Sequence, residues 1–246
     1  MRNYTKWFYF IVLVFLVSAC NQNNAKKNTK ETILKGTATV AVDETLKPIV
    51  EDQIEIFESR YEAKIKLDAK SEAEVIRDLV KGTSTIAILS RKLTEDEITF
   101  FANKKVTPKT TPFAIDAIAF SSNTKSKDTL IALNDVLNFM EGKTNGKIKG
   151  LVFDNPNSST VRYMNDLAGL KSIPQKGVFS FGTNNEVIKF VAENEGMIGI
   201  VGMNWLSQAK PEMQKYVDQV SILSVKGSNN KEYYSPNQNS IAEGNY

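Results

Sequence analysis

Residues 34–61, LKGTATVAVDETLKPIVEDQIEIFESRY, decide how this chain folds. The run 34–42 (LKGTATVAV) reads as a strand. A polar turn, DETLK, follows and leads to Pro48. From there Val50, Ile54, Phe57 and Tyr61 hold one face of a helix. A strand that passes directly into a helix is the unit of an α/β fold, and the pattern repeats outward from here. Residues 63–67 (AKIKL) alternate as a strand should. Ser71 to Glu74 form a capping-box pattern with Val75, Ile76, Leu79 and Val80 behind it. Residues 85–90 (TIAILS) read as a buried strand, Thr94 opens a short helix, and 113–120 (FAIDAIAF) reads as a strand with one acid, Asp116, in its middle.

Residues 121–128 read as a polar turn region, after which the alternation restarts. A helix is expected at 133–140 and a strand at 149–153. The next helix carries Val161, Met164, Leu167 and Ala168 on its apolar face. Asn185 is the expected cap of a helix bearing Val187, Ile188 and Val191; GMIGIVG (196–202) is a glycine-bounded strand, and 217–225 holds one more. The length suits two modest lobes, 33–117 and 118–240, with the crossing near residues 115–123.

The N-terminus carries a different message. Arg2 and Lys6 precede an unbroken apolar run, 7–17, which ends in the small residues Ser18 and Ala19 before Cys20. This reads as a secretory signal at 1–19, too short to span a bilayer as a mature helix, which needs about 20 residues. Its end resembles the bacterial lipobox, in which the cysteine is diacylated; that resemblance makes Cys20 the expected lipidation site, and the membrane a partner through a lipid anchor. Residues 20–32 are polar and lysine-rich, as a flexible tether is.

Composition removes most chemistry. The chain has 41% hydrophobic and 24% charged residues, as an ordinary soluble protein does. It has no histidine, and Cys20 is its only cysteine. Ser-His and Cys-His nucleophile pairs and zinc sites of the usual ligands are therefore excluded. A Ser-Lys hydrolase or an all-carboxylate metal site survives this test, but neither has a recognisable motif, and no enzyme activity, metal or cofactor is expected. A formal charge of +3, without a basic stripe, gives no reason to expect nucleic acid.

What remains is a set of small polar groups at apparent strand ends: Thr45 in DETLKP, Ser90 closing TIAILS, Asp116, and Ser158, Ser159 and Thr160 in NSSTVRY before a helix. Ligands of open α/β sheets bind outside the carboxyl ends of the strands, where helix N-termini offer free N–H groups and partial positive charge. Each residue alone also has a plain reading. Ser159 or Thr160 could cap a helix, Ser90 could end a strand, Thr45 could cap the helix of Pro48, and Arg162 could be a solvated helix residue. Asp116 is harder to set aside, because an unpaired carboxylate in an apolar strand costs several kcal/mol.

Taken together, DETLKP, SRKLT at Ser90, the strand-borne Asp116, the SST triplet, and GMIGIVG followed by Trp205 resemble the phosphate-binding proteins of bacterial ABC phosphate importers. Those proteins have the type II periplasmic binding fold, two lobes with a ligand cleft between them. The resemblance implies an extracytoplasmic solute-binding lipoprotein that captures inorganic phosphate, or a similar oxyanion, for an ABC permease. It implies as phosphate ligands Thr45, Leu46, Ser90, Asp116, Ser158, Ser159 and Thr160. Asp116 would accept the proton that phosphate carries and sulfate lacks. Two departures stand out. Where the family has an arginine four residues before the serine triplet this chain has Asp154, so Arg162, held by Asp154, is expected to supply the charge, with Lys47, Arg91 and Lys92 as further candidates. Family members also continue past a Tyr-Pro segment, so 241–246 is expected to begin a return to the first lobe in a chain that is cut short. A different oxyanion, a phosphorylated small molecule, or an interaction or sensory role on the same fold stays open.

Overall fold

The computed structural model describes residues 31–143, 146 and 148–246. The expected signal peptide, Cys20 and most of the tether lie outside these residues. Among the described residues no helix is long and apolar enough to cross a membrane.

The first sheet is parallel, in the order β2-β1-β3. Strand β1 (Lys35–Asp43) pairs along its length with β2 (Glu62–Lys70), and at Ala41 and Val42 with β3 (Ala87–Ile88). Helix α1 (Lys47–Arg60), with Pro48 in its first turn, links β1 to β2, and α2 (Glu72–Lys81) links β2 to β3. The capping box read from sequence is present: Glu74 accepts from Ser71 N and Oγ at 3.3 and 2.7 Å. Helix α2 ends at Gly82, whose φ of 75° is open to glycine at no steric cost. Thr94 and Glu97 form a second box before α3 (Glu95–Asn103). The apolar core of this half is small: Val42, Leu46 and Val50, flanked by Ile54, Leu67 and Ile88.

The second sheet has five strands in the order β7-β6-β8-β4-β9. Strands β6 (Gly150–Phe153), β7 (Val178–Ser180) and β8 (Met197–Gly202) are mutually parallel. Strand β4 (Ile118–Asn123) runs antiparallel to both β8 and β9 (Val220–Ile222). A separate parallel pair joins β5 (Leu130–Ala132) to β10 (Ser224–Lys226). Side chains alternate across the sheet, as period two requires. Leu151, Phe153 and Phe120 enter one core with Val136 of α4 (Leu133–Met140) and Met164 of α5 (Ser159–Ala168). Val152 and Ala119 enter the opposite core. There they meet Val187 and Val191 of α6 (Asn184–Glu193), Trp205 of α7 (Met203–Ser207) and Met213 of α8 (Pro211–Val217).

Several expectations are corrected. The strand expected at 113–120 starts at Ile118 and runs on through Ser121, Ser122 and Asn123, which were read as turn. These polar residues are buried because their side chains find acceptors inside: Ser121 Oγ donates to Gly199 O at 3.4 Å, and Asn123 Nδ2 to Ala192 O at 2.6 Å. A Cβ on Gly199 would stand 2.8 Å from Ser121 Oγ, so that glycine makes the approach possible. Asp116 consequently precedes the strand instead of interrupting it. In TIAILS only Ala87 and Ile88 are paired as a strand. Thr183, not Asn185, caps α6, its Oγ1 accepting from Glu186 N at 3.3 Å. The strand expected at 217–225 is two, β9 and β10, with buried Leu223 between them. Residues 238–242 form helix α9 (Gln238–Ala242), after which Tyr246 packs on the second sheet's core and donates its hydroxyl to Ile118 O at 2.8 Å.

Candidate functional site

The two sheets approach each other at the end of β1. Glu44–Leu46 form one 3-10 turn before α1, and Asp43 caps it, Oδ1 accepting from Thr45 N at 3.3 Å. The turn is held from the other side: Thr45 O accepts from Asn204 Nδ2 at 3.1 Å and from Trp205 Nε1 at 2.9 Å, both on α7. Gly202 permits this contact, since a Cβ there would lie 3.0 Å from Thr45 Cγ2 and 3.1 Å from Thr45 O.

Opposite the turn stands the N-terminus of α5. Ser158 is its cap, Oγ accepting from Val161 N at 3.2 Å, and the first intrahelical bond runs from Arg162 N to Ser158 O. The amides of Ser159 and Thr160 precede that bond, so this end has donors and partial positive charge to offer. Both side chains are buried, and Thr160 Oγ1 lies 3.4 Å from Thr45 Oγ1.

Between these elements lies a cavity of about 350 Å3. Thr45, Leu46, Ser90, Asp116, Ser159, Thr160 and Arg162 line it, so seven of the eight residues singled out in the sequence converge on one space. Ser158 does not line it; its hydroxyl is spent capping α5 and donating to Asp154 Oδ1 at 2.5 Å. Apolar side chains line the cavity as well, among them Phe120, Leu133, Met164, Leu167, Val225 and Ile241.

The charges are arranged otherwise than expected. Asp154 does not hold Arg162. Buried at the end of β6, it accepts from Ser158, from Thr45 Oγ1 at 3.3 Å and from Asn184 Nδ2 at 3.1 Å. Glu72 takes Arg162 instead, Oε1 accepting from Nε at 2.6 Å and Oε2 from Nη2 at 3.2 Å, across the gap between the two halves. Arg162 also donates to Asp166 and to Ser90 Oγ, and Glu72 accepts from Ser90 and Arg91 as well. Of the other cations named from sequence, Arg91 is tied to Glu72 and Glu97, Lys47 lies 3.7 Å from Glu51, and Lys92 is exposed.

Behind the hydroxyls the wall is acidic. Burial pushes Asp43 up to about 7, Glu44 up to about 7 and Asp154 up to about 6, the neighbouring carboxylates adding to the shift at Asp43 and Glu44. Burial also raises Asp116, whose Oδ2 accepts from Asn204 Nδ2 at 2.5 Å. Asn184 bridges two of these acids, donating to Glu44 Oε2 at 2.7 Å and to Asp154, while its Oδ1 accepts from Gly202 N. Among the described residues, buried Asp43 Oδ2 and Asn204 Oδ1 have no partner at ordinary hydrogen-bond geometry, although the nearby Ser159 hydroxyl offsets part of the burial of Asp43.

Sequence reasoning missed Asp43, Glu44, Glu72, Asn184 and Asn204. Glu72 was absorbed into a capping-box reading, and the two asparagines sit in ordinary helix-start contexts. The one available signal was the adjacent acid pair of VDE between a buried strand and a helix.

The PBP superfamily domain matches residues 27–246. A phosphate-binding protein PstS of Borreliella burgdorferi is 26% identical over 232 residues, covering 87% of this chain and 78% of its own length. Two solved structures share the fold. A Clostridium perfringens chain described as a phosphate ABC transporter substrate-binding protein, solved with bound phosphate, has a TM-score of 0.69 at 18% identity over 86% of this chain and 82% of its own. An ABC-type phosphate transport receptor from Vibrio cholerae has a TM-score of 0.58 at 18% identity, covering 85% and 82%.

Proposed function

The chain belongs to the PBP superfamily, and from that premise we propose that it captures inorganic phosphate outside the cytoplasm and delivers it to the permease of an ABC importer. The observation that carries this is the meeting of Thr45, Ser159 and Thr160 with the α5 N-terminus on one wall of a cavity that Asp116 and Arg162 also line. Amides and hydroxyls there supply donors to an oxyanion, Arg162 supplies charge, and Asp116 accepts the proton phosphate retains. It is a binding protein, and no bond is made or broken in its task.

The lobes are 33–117 and 118–240, and their relative movement would signal loading to the permease. Cys20 carries the lipid that anchors the protein to a bacterial membrane, through the tether 20–32. Incorporation of labelled palmitate into the full chain and its loss in Cys20→Ser test the anchor.

Titration of the soluble form beginning at Asn21 with phosphate and with sulfate by calorimetry tests the ligand. Phosphate heat with sulfate silent is expected; silence toward both refutes the anion site. The apolar side chains that line the cavity favour a second reading, a phosphate monoester with a short apolar group, because a bare tetrahedral anion makes no use of them. An alkyl phosphate binding more tightly than phosphate would establish it.

A further inference from the structure

The hydrogen-bond directions around Asp154 raise a difficulty for any anion, and its resolution goes beyond the ligand itself. An ionised carboxylate only accepts, and a hydroxyl has one proton to give. Asp154 Oδ2 accepts from Thr45 Oγ1 and Asn184 Nδ2, and Oδ1 from Ser158. Asn184 cannot turn, because Gly202 N donates to its Oδ1 and Glu44 takes its other N–H. The Thr45 proton therefore points inward while Asp154 is charged, and Thr45 turns a lone pair toward the cavity. Thr160, 3.4 Å from Thr45 Oγ1, then gives its own proton to Thr45. In this state two hydroxyls of the cavity wall are unavailable to an oxyanion.

We propose that Asp154 is a proton-linked specificity residue: capture of an oxyanion in this cavity requires Asp154 to take up one proton, which reverses Thr45 from acceptor to donor. This rests on the phosphate reading above. Protonated on Oδ2, Asp154 donates to Thr45 Oγ1 and still accepts from Asn184. Thr45 and Thr160 are then free to turn their protons to the ligand. No atom beyond the one proton is exchanged, and it comes from solvent.

The surrounding charges act in the same direction. Asp43 from β1 and Glu44 from the 3-10 turn face Asp154 with further carboxyls, α6 presents Asn184, and α5 presents Ser158, its Arg162 being turned to Glu72. An anion entering beside these carboxyls is repelled by each that is ionised. Near neutral pH Asp43 and Glu44, held at about 7, are already partly protonated, whereas Asp154, at about 6, is the one still charged and the one whose proton also turns Thr45. Burial already holds Asp154 near 6, close enough to neutral for a bound anion to pull the proton on.

The test compares wild type with Asp154→Asn by phosphate calorimetry at pH 5 to 9, at each pH in two buffers of different ionisation heat. Phosphate's own titration is common to both proteins and cancels. At pH 8 wild type should take up about one proton more than the variant. Two pH units above about 6, wild-type affinity should be weakened by up to ~100-fold through this linkage, while the neutral amide, a weak competitor for the Thr45 proton, escapes it. Equal proton uptake and parallel pH profiles overturn the linkage and leave phosphate binding standing. Absence of phosphate binding by both proteins at every pH overturns the phosphate reading itself, and the linkage with it. Should the variant fail to fold, carbon-13 NMR of the sequentially assigned Asp154 carboxyl in wild type at pH 8 decides: its moving to the protonated position on adding phosphate supports the linkage, and its staying at the ionised position, whatever Asp43 and Asp116 do, overturns it.

Discussion

Replacing Asp43 by asparagine should make this protein more stable, and only at high pH. Asp43 is 0% exposed, its Oδ1 accepts one backbone N–H, and its Oδ2 has no partner at ordinary hydrogen-bond geometry among the described residues, the nearby Ser159 hydroxyl offsetting only part of the burial. Burial raises its pKa from 3.8 to about 7. A folded-state pKa above the unfolded value means that the folded protein holds the proton more tightly. The stability so gained is full below about pH 4, drains as pH rises, and is lost once pH passes about 7. Three units at about 1.36 kcal/mol each put the drain on the order of 4 kcal/mol by pH 8. Asparagine cannot ionise and escapes it. Asp43→Asn should therefore match wild type near pH 4.5 and exceed it at pH 8 by about 3–4 kcal/mol, or roughly 10 °C in Tm for a chain of this size. Thermal and urea unfolding followed by circular dichroism at the two pH values measure this directly. Loss of the Asp43 charge also eases the upward shift at Glu44, which adds to the difference in the same direction. A difference between variant and wild type that does not change with pH would refute the assignment of a buried, destabilising charge to Asp43.

Arg162→Ala should weaken phosphate binding by about 2–3 kcal/mol, the scale of a charge-assisted hydrogen bond, as read by calorimetry. Glu72→Gln should do the opposite, strengthening binding by about tenfold, because it removes a carboxylate that occupies both sides of the Arg162 fork. Asp116→Asn should admit sulfate, since an amide can donate to an oxyanion that carries no proton; sulfate heat appearing in the variant alone is the expected result. Gly202→Ala should cost binding about 1 kcal/mol with little change in Tm, because its Cβ would have to displace the Thr45 turn by a few tenths of an ångström.

Much of the α/β order could be read from spacing alone. Strand β1, helix α1, the capping boxes of α2 and α3, and β8 are written in contiguous residues whose periodicity or end chemistry is local. The same holds for the placing of Thr45, Ser90, Ser159 and Thr160 beyond the carboxyl ends of strands, where ligands of such sheets bind. That Asp116, which precedes β4, and Arg162 join them at one cavity is a product of packing. Strand β4 was misplaced because its burial of Ser121, Ser122 and Asn123 depends on acceptors from β8, α6 and Asp128, which no local pattern reports.

The charges of the site were decided in the same nonlocal way. Arg162 and Glu72 are 90 residues apart, as Thr45 and Asp154 are 109, and both pairs exist only once two separate sheets have been brought face to face. Which acid takes the arginine, and which takes the threonine proton, follows from distances of 2.6 to 3.3 Å that only the packed structure sets. The sequence by itself determined that there are strands with donors at their ends. The tertiary structure decided the direction in which those donors point, because a hydroxyl or a guanidinium follows the nearest carboxylate and not its neighbours in the chain.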